Sequence, residues 1–307
     1  MGYTASDVKS LREMTGVGMM DCKKALEAAD GNIDEAVSWL REKGLAAAQK
    51  KAGRIAAEGM AYAAVLNGVG VAVEVNAESD FVAKNDLFVE YVQGVAAVVA
   101  AQNPADVDAL YACTYPGSDK TVQDVQNDKI LVIGENIKVR RFARFETGFC
   151  VPYVHMGGRI GVLVNLEVDA AFQGNEAIVG MAKDIAMQAA ALNPTFLDKS
   201  EVSAEFVENE KKIRMAQAKE DPKNTGKPDA IIEKIVVGGL NKLYKEICLL
   251  QQTFVKDDKV SVEQHIANVA KETGTSIKLC AFTRFEKGEG IEKKQDDLAE
   301  EVAKLVK

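Results

Sequence analysis

Acid–base chemistry in this chain would have to come from very few side chains. Glu78 and Asp80 flank a short polar turn and His155 opens a glycine-rich stretch, so these three are the candidate proton-transfer groups. Only two histidines, His155 and His265, are present, and neither sits in a Ser/His/Asp or Cys/His grouping; no Walker loop or dinucleotide fingerprint accompanies them. Five cysteines (Cys22, Cys113, Cys150, Cys248, Cys280) are far apart and form no Cys-x-x-Cys pair, which argues against a zinc site or a disulfide framework. An enzyme reading therefore lacks a nucleophile and a cofactor motif, and neither a metal nor a cofactor is expected.

The same turn carries a different kind of candidate. "ESDFV", Glu78 to Val82, places a large aromatic, Phe81, where a strand gives way to a helix and turn residues are normally polar. Phe81 is either a plug in the core or an exposed contact residue. A second apolar signal is Met19-Met20. Both methionines pack inward, or at least one is exposed, because consecutive helical residues point to different faces. Exposed methionine is adaptable and suits a partner helix, and Arg12 and Lys23 would border such a patch.

The 307 residues, 47% apolar, are enough for two or three modest domains. A formal net charge of -8 disfavours a groove for nucleic acid and favours a protein partner. With no run of roughly 18 apolar residues and no charged-then-apolar leader, no membrane association is expected and the chain reads as cytoplasmic. Residues 5 to about 44 read as three short helices of the ubiquitin-associated type, with Ser6 capping the first, Val8, Leu11 and Met14 forming its stripe, and Asn32 with Glu35 opening the third. The Ala- and Lys-rich stretch from Leu45 to Gly59 continues as a helix or semi-rigid linker.

The remainder is organised by a repeat. Gly68 to Pro104 and Gly158 to Pro194 each run from an alternating strand into an Ala-rich helix that halts at Asn-Pro, and each is followed by a related signature, "FARFE" at Phe142 and "FTRFE" at Phe282. The second copy carries about 50 extra residues, roughly 199–248. These read as an antiparallel helical hairpin in which Phe206, Val207, Ile213 and Met215 face Ile232, Ile235, Val236, Leu240 and Leu243. Aligned finely, the first copy has one more residue in the turn after its strand. That is the "ESDFV" turn; Phe172 in "DAAF" is the second copy's only aromatic nearby. This asymmetry favours the exposed role for Phe81.

Five motifs taken in order, "LREMTGVGMMDCKKAL", "EVNAESDFVAKN", "IGENIKVRRF", "HMGGRIGVLV" and "FTRFEKGEGIEKK", closely resemble the bacterial translation elongation factor Ts family over nearly the whole chain. The resemblance implies a guanine-nucleotide exchange factor for the GTPase elongation factor Tu, not an enzyme. It implies an α+β fold with an N-terminal three-helix module (1–54, including a linker helix), two related core subdomains (55–148 and 149–288), a protruding coiled-coil hairpin and a C-terminal helical module (289–307, with a helix from Asp296 to Lys304). By the same likeness Arg12, Met19, Met20 and Lys23 would grip the GTPase, and Ser79, Asp80, Phe81 and Val82 would disturb its magnesium and phosphate site. His155 would touch another part of the partner. Assembly as a heterotetramer with the GTPase, or as a homodimer, would use the core or the hairpin. A reading from the front module alone, as a ubiquitin-like or nascent-chain binder, leaves most of the chain without a role.

Overall fold

The computed structural model describes residues 2–292 of the 307; the expected helix from Asp296 to Lys304 lies outside them. Within 2–292 the chain is α+β. Helices α1 (Ala5–Thr15), α2 (Met19–Ala28) and α3 (Ile33–Lys51) close around Val8, Leu11, Cys22, Ala25, Leu26, Ala36 and Leu40, all buried. The cap of α1 is Thr4 and not Ser6: the Thr4 hydroxyl accepts from the Asp7 N–H while the Asp7 carboxylate accepts from the Thr4 N–H, a reciprocal pair that leaves Ser6 inside the first turn. Met14 leaves the expected stripe for solvent, because each step of three residues lags the helical repeat by about 60°. Asn32 caps α3 through the N–H groups of Asp34 and Glu35. Beyond Leu45, α3 is continuous helix to Lys51 and lies against α6 (Val122–Ile133), with Gly44 close to the Asn127 backbone and Lys51 Nζ donating to the Ile130 carbonyl at 3.3 Å.

The repeat is a three-stranded antiparallel sheet backed by one long helix. The first copy comprises β1 (Glu58–Leu66), β2 (Val69–Ala77), α4 (Asp86–Gln102), a short α5 (Val107–Ala112), α6 and β3 (Lys138–Phe145), in sheet order β1-β2-β3. The second comprises β4 (Phe149–His155), β5 (Ile160–Val168), α7 (Glu176–Leu192), the hairpin α8 (Ala204–Glu220) and α9 (Asp229–Ile247), a small ribbon of β6 (Thr253–Phe254) and β7 (Asp257–Ser261), α10 (Val262–Thr273) and β8 (Ile277–Glu286), in order β4-β5-β8. Equivalent details recur in both. Val73 pairs with Phe142 and Val164 with Phe282, and a bulge interrupts the register at Glu74/Val75 and again at Asn165/Leu166. Asn85 and Asn175 cap the long helices; Asn103 and Asn193 end them in the left-handed region at φ 47° and 46°.

The shared Arg-Phe-Glu signature has a physical basis in this arrangement. Arg144 donates to the Ala100 carbonyl at the end of α4 and to Glu146; Arg284 does the same with Ala190 at the end of α7 and with Glu286. Each arginine thus satisfies a terminal-turn carbonyl and places its cation at the negative end of the helix dipole.

The two sheets pack face to face. The strand alternation is one of large against small apolar residues. Val71, Val73 and Val75 face α4, whereas Gly70 and Ala72 join Ala61, Ala63, Cys150, Leu163 and Phe285 in the seam between sheets. A Cβ on Gly70 would fall 2.6 Å from Cys150 Sγ, and one on Gly161 would fall 3.0 Å from the Ala61 backbone, so glycine sets the sheet separation at both places. In the same seam lies Glu74, fully buried. Its carboxylate accepts from Arg140 Nη1 at 3.0 Å, Arg141 Nε at 2.5 Å, Asn76 Nδ2 at 3.2 Å and the Gly288 N–H at 2.8 Å. Consecutive strand residues normally face opposite sides; the bulge opposite Glu74 leaves Arg140 without a register partner, and both arginines reach one carboxylate.

The hairpin closes on Ala218, Ile232, Val236 and Leu240, with Val207 and Met215 against them. Phe206, Ile213 and Ile235, expected to face inward, are exposed. Phe206 precedes inward-facing Val207, and Ile235 precedes inward-facing Val236, by one residue, a turn of about 100°, while Ile213 precedes Met215 by two, a turn of about 200°, so each points away from its helix's inner row. At the base, the N–H groups of Thr195 and Phe196 both donate to the Ile247 carbonyl and Leu249 N–H donates to Phe196. The entry and exit strands of the arm are therefore bridged without the arm itself. Replacing 204–246 with a short Gly/Ser loop is expected to leave a single cooperative thermal transition; a product that aggregates without one would show that the arm supplies core. Glu74→Ala leaves two part-buried guanidinium groups without their anion, and a loss of about 3 kcal/mol in denaturant-derived stability is expected.

Candidate functional surface

After β2 the chain enters the turn at residues 78–81 and a single helical turn, Val82–Lys84, before the Asn85 cap of α4. The four residues singled out there have different fates. Ser79 Oγ donates to Glu135 Oε1 at 2.6 Å and its N–H donates to Glu135 Oε2 at 2.9 Å. Asp80 is exposed, with Lys84 Nζ at 3.5 Å. Val82 is buried in the core under β2 and α4, a correction to the expectation that it contacts a partner: it anchors the turn from below. Phe81, between them, is 83% exposed. Its backbone is ordinary helical, φ -65° and ψ -45°, so its exposure follows from the turn's path and needs no strain. Beside it a cleft lined by Ser79, Val82, Leu87, Val132, Ile133 and Glu135 separates the turn from the end of α6.

On the N-terminal unit, α2 buries Cys22, Ala25 and Leu26 and turns Met19 (45% exposed) and Met20 (63% exposed) to solvent. Lys23 lies one helical turn on, paired with Glu27 at 3.8 Å, and Arg12 is exposed on α1. The exposed alternative for the methionine pair is the one realised, and it holds for both residues.

His155 ends β4. Its Nδ1 is 2.8 Å from Tyr153 Oη, and the residues after it, Met156, Gly157 and Gly158, all have positive φ. Gly158 is required twice: its φ is 99°, and a Cβ there would fall 2.5 Å from Met60 Cγ. This turn lifts Met156 into solvent, 69% exposed, at the mouth of a cleft of about 550 Å³ that it shares with Tyr153, His155, Arg159, Val255 and Glu286. The hydrogen bond from Arg284 holds the Glu286 carboxyl below the usual carboxylate range against the opposing effect of burial. Sequence reasoning passed over Met156 and Val255. An apolar residue inside the glycine turn, and another beside the charged run at 256–259, were the signals present in the chain.

The acid–base candidates are not brought together. Glu78 is bonded to the Asn136 N–H at 2.6 Å and to Arg54 at 3.4 Å, Asp80 lies beside Lys84, and His155 is paired with Tyr153. Among the described residues no group of three or more His, Cys, Asp or Glu side chains is placed to hold a metal ion. What the molecule presents is apolar: Phe81, Met19, Met20 and Met156, each exposed, on three separate supports. No helix among the described residues is long and apolar enough to cross a membrane.

The family model for elongation factor Ts matches residues 78–289, starting at the Phe81 turn and running to the Gly288 loop. The elongation factor Ts of Trichlorobacter lovleyi is 51% identical over 309 residues, covering 99% of this chain and 98% of that protein. That of Syntrophotalea carbinolica is 49% identical and covers all of both chains, and that of Clostridium perfringens is 49% identical over 98% of each. With a family model over most of its length and relatives at this identity end to end, the chain belongs to the elongation factor Ts family of translation elongation factors.

Proposed function

We propose that the chain is a guanine-nucleotide exchange factor, acting on elongation factor Tu in the cytoplasm. The observation that carries this reading is Phe81, a rigid aromatic held almost wholly in solvent on a turn anchored from below. In this reading the ubiquitin-associated-type module formed by α1–α3 docks on the GTPase through Arg12, Met19, Met20 and Lys23. Phe81, with Asp80 beside it, enters near the magnesium and phosphate site, and the His155–Met156 corner of the second subdomain holds a further part of the partner. The hairpin is a coiled-coil arm for protein contacts, including assembly of two complexes or two copies, and its exposed Phe206, Ile213 and Ile235 suit that role.

Such a device needs no covalent chemistry. A GTPase holds its nucleotide largely through phosphate contacts and magnesium. A protein that binds the nucleotide-free form better than the loaded form must, by linkage, weaken GDP by the same factor by which GDP weakens it. An apolar wedge discriminates between the two forms because it gains burial only where the distorted partner opens a pocket. Phenylalanine suits this, having only two side-chain torsions to immobilise.

Release of fluorescent GDP from elongation factor Tu, with and without this chain, is the direct test; absence of stimulation at saturating protein overturns the reading. Phe81→Ala should leave the denaturant-derived unfolding free energy within about 0.5 kcal/mol of wild type, since little of the ring is buried, while lowering exchange efficiency roughly 30- to 1000-fold. A strongly destabilised Phe81→Ala whose folded fraction exchanges normally would restore the core-plug role. Replacing Met19 and Met20 together by alanine should weaken GTPase binding on the order of tenfold with thermal stability unchanged; equal affinity in titration calorimetry would remove these residues from the interface.

A further inference from the structure

The turn that presents Phe81 is held by two carboxylates crossing in opposite directions. From the loop between α6 and β3, Glu135 accepts from the backbone N–H of Glu78 at 3.0 Å and of Ser79 at 2.9 Å, and from Ser79 Oγ at 2.6 Å. From the turn, Glu78 accepts from the Asn136 N–H at 2.6 Å. The neighbouring residues therefore exchange bonds in both directions, like a clasp closed from both sides. The clasp also reaches the N-terminal unit: Arg54, just past α3, donates to Glu78 Oε1 at 3.4 Å, and Asn136 Nδ2 donates to the Arg54 carbonyl at 2.9 Å.

The second copy shows that the subdomain does not require this. There Asp169 closes the equivalent turn alone by accepting from the Ala171 N–H at 2.9 Å. Among the described residues no hydrogen bond joins that turn to the loop ahead of β8, and the turn is one residue shorter and carries no exposed aromatic of this kind. Clasp and exposed phenylalanine occur together in one copy and are absent together from the other.

Resting on the exchange reading above, we infer that Glu135 and Glu78 are positioning residues for nucleotide exchange. They hold the Phe81 turn in its inserting form before the partner arrives and, through Arg54, keep the Met19–Met20 patch in register with it. Without the clasp, the cost of ordering the turn falls on the insertion step. Docking through the N-terminal patch remains.

The test is stimulated release of fluorescent GDP from elongation factor Tu by full-length variants, read as maximal rate and half-saturating concentration separately. Glu135→Ala is expected to lower the maximal rate at least about tenfold with half-saturation within about threefold of wild type. Glu135→Gln keeps one carbonyl oxygen for the two backbone donors and is expected to recover most of that rate. In a Phe81→Ala background, Glu135→Ala should cost less than about twofold more, since its effect passes through Phe81. A maximal rate for Glu135→Ala within about twofold of wild type overturns the inference, as does an undiminished cost in the Phe81→Ala background. Should Glu135→Ala fail to fold, Glu78→Ala probes the same clasp from the opposite carboxylate with the same expectations. The two readings separate cleanly: normal exchange by Phe81→Ala removes the wedge itself, whereas normal exchange by Glu135→Ala beside an impaired Phe81→Ala removes only the clasp.

Discussion

The fold is organised around one buried charge. Glu74 lies at zero exposure in the seam between two sheets, where an unpaired carboxylate would be prohibitively costly, and its position imposes several other features. Two guanidinium groups reach it because the bulge opposite Glu74 lets Arg140 and Arg141 turn to one side. The Gly288 N–H must also reach it. That draws the loop after β8 so close to the Ala57 carbonyl that a Cβ at Gly288 would fall 2.0 Å from the oxygen. Arg141 further stacks its guanidinium over Phe285 at 4.4 Å and pairs with Glu289 at 2.9 Å. One carboxylate therefore joins β2 and β3 of the first copy to the end of the second, and the relative placement of the two subdomains follows from satisfying it. To the packing of a seam that mixes alanine and glycine with Cys150, Leu163 and Phe285, the carboxylate adds a directional polar network that fixes register.

On that frame the two copies diverge at their exposed turns and at the arm. Their helices, caps, bulges and Arg–Glu pairs correspond closely, so those shared features answer the common problem of covering a three-stranded sheet. What is not shared needs another explanation. The first copy adds a residue and a clasp around Phe81; the second adds the long arm and the Met156 turn. A duplicated scaffold thus presents distinct exposed elements at separate places.

Much of this was legible in the sequence because it rests on local rules. Periodicity and capping residues identified the three front helices, the Asn-Pro stops and the repeat, and the one-residue difference between copies was enough to single out the Phe81 turn. The hairpin was legible too, from charged helical stretches around a Pro/Asn/Gly turn. Which hairpin side chains face inward was not, since several apolar residues compete and the antiparallel partner selects the row.

What the sequence by itself determined, then, was the order of elements, the duplication and the identity of the aromatic set apart by that duplication. Each depends on spacing along the chain. Only the tertiary structure decided that Ser79 is clasped, Val82 buried, both methionines exposed and Glu74 made the hub, and it alone showed Met156 and Val255 in solvent and Glu135 bonded to the Phe81 turn. Those outcomes depend on residues far apart in sequence meeting across a bulge, a seam or a loop. A carboxylate at position 135 looks like any surface glutamate until the fold places the Glu78–Ser79 backbone in front of it.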